Sequence, residues 1–460
     1  MIRMTLKLFA ILLVLIGALA IATLTVVDRN HYQKRPFYRE MDLRLDSLAE
    51  VFALQLNQDS LHIGWSRVNI TPSEKVPLAG YGARDPKEMT GIHDSSFVRT
   101  VIFQKGSQKV AVVTADLLII HPELSRAVWR GLPAGWSPDQ IYFTASHTHS
   151  GQGGWAPGTV GRLFAGDFDD SRVDFLTTKI IQSIREASDA LEPGEIAVGE
   201  LAVDDLVKNR LVKDKGIEDP WMKVIQLRKG ESKGFLVFYS AHATCFGADF
   251  NQLSGDFPAR FNLLMEADSA ITFSAYGASA VGSMGPDVPG AHPAGNVEKI
   301  AEELRQQAVL FSLLGAGHRQ VSALTSFRLS VPLPDPAFKI SKHLALRPYL
   351  FKWAFGNYPH YVSVMVLGET LLIGMPCDFS GELAVPLYEK ARALGYQLII
   401  TSFNGDYAGY VIKDEWYDLP KYEARTMSWY GPYAGQYFTE IINRIISTID
   451  ENNQTNTPDR

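Results

Sequence analysis

Cysteine is nearly absent from this 460-residue chain, and the two present, Cys245 and Cys377, build no disulfide scaffold in any compartment. Their ordinary reading is a pair of buried thiols; a bridge or a role beside a metal is the alternative. A basic surplus is missing as well. Forty-four Lys and Arg stand against 50 Asp and Glu, a formal net charge of -6. Counterion release from a phosphate backbone needs the opposite balance, which excludes nucleic acid as a partner. No strand-to-helix nucleophile elbow of the Gly-x-Ser-x-Gly kind is read, no His-Glu-x-x-His zinc helix occurs, and no internal repeat is visible.

What is present begins with one long apolar run. Leu8 to Val27 carries no charge, and about 20 helical residues at ~1.5 Å each span a hydrocarbon core of roughly 30 Å. Arg3 and Lys7 precede the run, favouring a cytoplasmic N-terminus and a translocated body, although Arg29, Lys34, Arg35 and Arg39 follow it. Residues 1–28 therefore read as an uncleaved signal anchor with the remainder on the extracytoplasmic side. Cleavage at Ala18-Leu19-Ala20, giving a secreted or periplasmic protein, is the alternative. Met41, Leu45, Leu48 and Phe52 recur at helical spacing between charged residues, so Pro36 to Gln58 is predicted to be an amphipathic connecting helix within a 29–61 juxtamembrane segment.

The body, residues 62–446, alternates β-rich runs with longer helical patterns and has 46% hydrophobic residues to fill a core. Strands are predicted at Thr100 to Gln104, Lys109 to Thr114, Gln140 to Ser146, Glu195 to Leu201, Met222 to Leu227, Gly234 to Ala241 and Gln397 to Ser402. Tyr361 to Met375 reads as two more, joined at Gly368-Glu369. Helices are predicted at Ser171 to Leu191, Phe257 to Ala267, Asn296 to Leu314, Ser380 to Leu394 and Gly431 to Ile446. The order implies an α/β protein of layered, mixed β-sheets flanked by helices. Residues 447–460 read as a polar tail, frayed from Glu451. Leu344 to Phe355 reads as a buried helix, or as an aromatic and basic segment at a membrane interface.

The chemistry concentrates where a predicted strand, Ile141 to Ser146, runs into His147-Thr-His149-Ser-Gly-Gln-Gly-Gly. Residues two apart on a strand share a face, so both imidazoles can enter one cleft, one holding a metal and the other moving protons. His242 ends another apolar segment and, alone, would be a satisfied core histidine. Asp378 alone would cap the following helix. Tyr410 and Tyr422 alone would be ordinary aromatic residues.

Taken together these segments resemble the catalytic domain of the neutral/alkaline non-lysosomal ceramidase family over most of residues 62 to 446. The His-Thr-His-Ser-Gly-x-Gly-Gly motif is intact. Val68-Asn-Ile-Thr-Pro, Gly80-Tyr, Gly91-Ile-His93, Asn209-Arg210, Ala241-His242-Ala-Thr, Ser254-Gly-Asp, and the spacing of Tyr410-Val to Tyr422-Glu-Ala match further segments. The resemblance implies that His147, His242, Asp378 and Tyr410 coordinate one Zn²⁺ ion, and that His149, Tyr422 and Arg210 face the substrate. It also implies amide hydrolysis of a lipid-like N-acyl substrate such as ceramide. Two positions depart from the family. Pro376-Cys377-Asp378 replaces Pro-Gly-Glu, shortening a metal ligand by one methylene. Gly282-Ser283-Met284-Gly285-Pro286-Asp287 replaces Gly-Asp-Val-Ser-Pro-Asn, putting Gly285 where the family has a serine important for catalysis. A different N-acyl or ester substrate, or an inactive binding protein, are the alternatives this departure keeps open.

Overall fold

The structure is a computed structural model that describes residues 2–51, 58–84, 88–288, 292–315, 317 and 321–456. Its frame is two β-sheets packed face to face. The larger has eight strands, in spatial order Phe273–Ala278, Ser232–Tyr239, Trp221–Lys229, Glu192–Ala202, Leu61–Asn69, Phe97–Lys105, Gln108–Ala115 and Ile141–Ala145. Its interior pairs are antiparallel and both edge pairs are parallel. The smaller has Leu324–Val331, His360–Leu367, Thr370–Gly374 and Gln397–Thr401, with only the last pair parallel.

Alternation of side chains along each strand gives every sheet two faces, and here both are buried. Between the sheets, Phe103, Tyr142, Leu236 and Phe238 meet Met365, Leu372 and Ile399. Outside the large sheet, helices Pro122–Gly131 and Asp170–Asp189 cover one region, and Asp256–Glu266 and Pro293–Leu313 another. Outside the small sheet lie Pro36–Val51, Gly381–Ala393 and Ala434–Asn456. The result is a helix, sheet, sheet, helix stack, in agreement with the layered mixed sheets expected. Cys245 and Cys377 are free, buried, and in separate cores, so neither bridges. The one Gly-x-Ser-x-Gly run, Gly230 to Gly234, closes the hairpin between Trp221–Lys229 and Ser232–Tyr239 and is no elbow.

The ends of the chain differ from expectation. The N-terminal helix is Ile2–Thr23, long and apolar enough to cross a membrane and not buried against the body. The last apolar residues leave it: Leu24–Val26 pairs antiparallel with Leu344–Leu346, as suits a β-branched Thr-Val-Val stretch that loses rotamer freedom in a helix. The connecting helix is Pro36–Val51, with Met41, Leu45 and Leu48 buried in the small-sheet core; Phe52 lies outside the described residues. The 29–61 segment is thus part of the body's packing as well as a link. The final helix does not stop near Ile446 but continues to Asn456, because Ile449 is fully buried and carries the amphipathic pattern onward. The expected frayed tail is helical there. Leu344 to Phe355 divides into the short strand and a helix, Pro348–Phe355, in which only Phe351 is buried, so the buried-helix reading fails.

Replacing Ile449 by Ala removes a fully buried side chain and should cost about 2–5 kcal/mol. Urea unfolding of the detergent-solubilised protein measures this; a loss under about 0.5 kcal/mol, the scale of a surface substitution, would show that the terminal helix does not anchor the core.

Candidate metal centre

Three of the expected residues sit just past the C-terminal ends of strands. His147 follows Ile141–Ala145 and His242 follows Ser232–Tyr239, both in the large sheet, and Asp378 follows Thr370–Gly374 in the small one; Tyr410 begins a separate short strand, Tyr410–Val411, on the connection that leaves Gln397–Thr401. The sheets are stitched together at this end. Tyr142 and Thr401 hydroxyls are 2.7 Å apart, Thr144 donates to the Ser402 carbonyl at 3.1 Å, and Ser279 donates to the Ile400 carbonyl at 2.8 Å. A two-residue parallel pair then sets Asp378 directly beside Tyr410. Asp378 therefore lies in a short strand and is not the helix cap that its local sequence suggests; Ser380 occupies that place.

The imidazoles converge by a different route from the one a continuous strand offers. The strand ends at Ala145, and His147 takes the left-handed region at φ 60°, a conformation uncommon for a residue with a side chain. Its Nδ1 lies 2.7 Å from the Leu118 carbonyl and its ring stacks on Phe403 at 4.2 Å. His242 Nδ1 lies 2.9 Å from the Met284 carbonyl. A carbonyl only accepts, so each Nδ1 carries the proton and each Nε2 presents a lone pair inward, the arrangement in which a backbone carbonyl orients a metal-binding histidine.

These lone pairs surround one point. Asp378 Oδ1 is 3.4 Å from His147 Nε2 and 3.3 Å from His242 Nε2. The Tyr410 hydroxyl is 3.1 Å from His242 Nε2, and His149 Nε2 is 3.2 Å from His147 Nε2. Asp378 Oδ1 is buried with no hydrogen-bond partner in the protein, an arrangement that costs free energy unless a cation satisfies it. Its other oxygen accepts from Tyr407 at 2.8 Å. Burial, with nearby Arg210, pushes His242 down to about 3, and burial also lowers His149, so these two rings are neutral near pH 7. Neutral imidazoles and an ionised carboxylate are the forms that bind a divalent ion.

His149 falls in the same tight group as His147 and His242, with their ligating nitrogens within 4.8 Å of one another. It can therefore serve as a ligand or as a base, and its Nδ1 has no protein partner. Arg210 Nη2 reaches His242 Nε2 at 3.0 Å and the Tyr410 hydroxyl at 3.1 Å, and its Nε lies 3.0 Å from Glu423. The lone pair of His242 Nε2 serves either Arg210 or a cation, not both. Tyr422 is 44% exposed and packs edge-on to Tyr410 at 6.1 Å, lining the cleft rather than the metal point. All seven expected residues thus gather at one place. Tyr407 and Glu423, which orient Asp378 and Arg210, carried no sequence signal beyond lying near Tyr410 and Tyr422.

Ser283 does not stand in for the missing serine. It is fully buried and 2.5 Å from the Ser380 hydroxyl. A Cβ on Gly285 would lie 3.2 Å from Arg210 Cδ, so the arginine borders the space a serine there would use. Asp378, despite its shorter chain, reaches both imidazoles. The centre opens into a cavity of about 390 Å³ whose lining includes His147, His149, Tyr410 and Tyr422, with Trp155, Phe164, Phe351 and Phe355 adding apolar surface.

The profile of the family described as neutral/alkaline non-lysosomal ceramidase, N-terminal, matches residues 61–303. The chain belongs to the neutral/alkaline non-lysosomal ceramidase family. The matched stretch contains His147, His149, Arg210 and His242, whereas Asp378, Tyr410 and Tyr422 lie beyond it. Among relatives, the neutral ceramidase of Pseudomonas aeruginosa is 24% identical over 349 residues, covering 70% of this chain and 50% of its own. That of Mycobacterium tuberculosis is 24% identical over 200 residues, covering 39% and 31%. The chain thus spans no more than about half the length of these relatives. In three dimensions it is similar to the crystal structure of the Pseudomonas aeruginosa neutral ceramidase, with a TM-score of 0.73 at 18% identity over 86% of this chain and 75% of that one. A structure titled as ceramidase complexed with C2 gives 0.76 at 17% identity over 86% and 76%. Both likenesses confirm the layered ceramidase fold.

Because Tyr407 holds the second oxygen of Asp378, Tyr407→Phe should weaken binding of a divalent metal such as zinc at this point by roughly 10–100-fold, the usual effect of losing a hydrogen bond that orients a ligand. Competition against a chromogenic chelator measures it, and an unchanged affinity would remove Tyr407 from the centre.

Proposed function

We propose that this chain is a zinc-dependent amidase that hydrolyses the amide bond of a lipid-like N-acyl substrate such as ceramide. Carrying this reading is Asp378 Oδ1, buried and unpartnered between two inward-facing imidazole nitrogens. His147, His242, Asp378 and Tyr410 would hold the ion: two nitrogens, a carboxylate and a phenol form a borderline donor set that suits Zn²⁺. The apolar cavity around them supports an acyl chain as the group bound. The N-terminal helix is read as a membrane anchor, with the catalytic body on the extracytoplasmic side.

Zinc, when bound, supplies Lewis acidity that acidifies a water to a pKa of about 7 and polarises an amide carbonyl. The remaining work belongs to side chains. His149 presents Nε2 toward the metal point and, kept neutral by burial, is free to take the proton of the attacking water and return it to the departing nitrogen. Tyr422, a phenol whose pKa partial burial and nearby Asp378 raise above its ordinary value, stays protonated and donates to the oxyanion that develops on the carbonyl. Arg210, positioned by Glu423, holds a polar group of the substrate. No serine nucleophile is needed, which fits Gly285. The same residue supports a second reading, that the substrate is another N-acyl compound or an ester, since Arg210 borders the space a serine would use.

Incubation with a mixed pool of ceramide, other N-acyl lipids and esters, followed by mass spectrometry, should release free fatty acid and amine from the amides. His147→Ala and chelation should abolish release, and added zinc should restore it after chelation. His149→Ala should retain stoichiometric zinc by elemental analysis while turnover drops about 10²- to 10⁴-fold. Loss of zinc in that variant would instead make His149 a ligand, and zinc without turnover on any acyl compound would leave a binding protein.

A further inference from the structure

The N-terminal helix is fastened to the mouth of the metal cleft. Arg347 donates from its backbone N–H to the Thr23 carbonyl at 2.9 Å and from Nε to the Ile21 carbonyl at 2.8 Å; the Tyr349 hydroxyl donates to the Ala22 carbonyl at 2.9 Å. These bonds take up carbonyls at the C-terminal end of the helix, which an ending helix leaves unsatisfied. Immediately after, Leu24–Val26 pairs in register with Leu344–Leu346. Helix and body are therefore joined by both main-chain and side-chain contacts, not by a slack linker.

The element that donates these bonds, the helix Pro348–Phe355 with Arg347 at its N-cap, also forms a wall of the cleft through Phe351 and Phe355. Eight helical residues extend about 12 Å, so the cleft mouth lies within that distance of where the N-terminal helix ends. Beside Pro348–Phe355 runs Gly158–Ala165, which contributes Val160 and Phe164 to the lining. The two helices touch: a Cβ on Gly158 would lie 2.7 Å from the Ala354 carbonyl oxygen, and Gly158 sits at φ 83°.

Around this mouth, large apolar side chains face outward. Trp353 is 73% exposed, Tyr349 55% and Leu163 49%. Tyr349 and Trp353 are four residues apart and so share a helix face. Val26 and Leu344 are register partners in the short strand pair, and both are exposed. Single exposed apolar residues need no explanation, but a row of them beside an unburied apolar helix marks an interaction surface. Trp and Tyr are also the side chains that settle at the headgroup level of a bilayer. Continuity with the N-terminal helix decides the occupant.

We propose that this edge rests on the bilayer that the N-terminal helix enters, and that the lipid amide passes directly from that bilayer into the metal cleft along the apolar side chains that Gly158–Ala165 and Pro348–Phe355 present to it. The proposal rests on the anchor and amidase readings given above and adds a route for the substrate. A lipid using it exposes its acyl chains to water over a short path only, and each buried CH₂ that would otherwise be exposed is worth about 0.8 kcal/mol.

The full-length protein in liposomes tests this without reference to turnover. An environment-sensitive dye on Trp353→Cys should be quenched by a nitroxide lipid and shielded from aqueous iodide, unlike the same dye on Glu231→Cys, an exposed turn residue. Equal iodide quenching at both positions would overturn the docking. As a second measurement, the double variant Tyr349→Glu and Trp353→Glu should lose at least about tenfold more kcat/KM on vesicle-embedded ceramide than on a water-dispersed short-chain amide, as expected when interfacial contact limits access. Equal losses on the two substrates would overturn the route. If no amide is cleaved at all, the amidase reading fails, while the dye still decides whether the edge meets the membrane.

Discussion

Asp378 is the point on which the site depends. A carboxylate buried without a protein partner for one oxygen is tolerable only where positive charge is close by. Two imidazoles, each with its Nδ1 turned to a carbonyl, aim Nε2 at the same point as Asp378 Oδ1, and Tyr407 and a strand pairing with Tyr410 keep the carboxylate there. Everything that brings these groups together is architecture: two sheets packed face to face, with their C-terminal strand ends meeting at one rim. Each sheet brings two of the four proposed ligands to the rim, so the group forms only when the sheets are docked.

The departures from the family motifs become intelligible at this rim. The shorter Asp378 still reaches both imidazoles. Gly285 lies against Arg210, and the backbone of its neighbour Met284 accepts from His242. Ser283, the nearest hydroxyl in sequence, faces Ser380 inside the fold. The segment orients His242 and leaves room for the Arg210 side chain, tasks for which its backbone and lack of bulk matter more than a hydroxyl.

The two ends of the chain connect the centre to its surroundings. The N-terminal helix is bonded to the helix that walls the cleft, and the connecting helix packs with the terminal helix against the small sheet through Met41, Leu45 and Ile449. The segment that looked like a tether is built into the core. Strand pairing and hydrogen bonds follow the apolar helix at once, so it has a fixed orientation relative to the body.

Periodicity of side chains is a local property, and it specified most strands and helices to within a few residues. The intact His147 to Gly154 motif and its companions likewise specified the family and the histidines, because those residues are close in sequence to one another or to a recognisable segment. Where an element stops was less legible: the apolar run leaves its helix at Leu24 because a strand at Leu344–Leu346 captures it, and the last helix continues because Ile449 finds a core. Asp378 and Tyr410 read locally as a cap and an aromatic residue, and only a strand pairing between segments 32 residues apart makes them neighbours. Tyr407, Glu423, the burial of Ser283 and the bonding of the N-terminal helix to the cleft wall were decided by tertiary structure alone. Each depends on contacts between distant segments, and no local pattern of residues encodes the distance across which such contacts form.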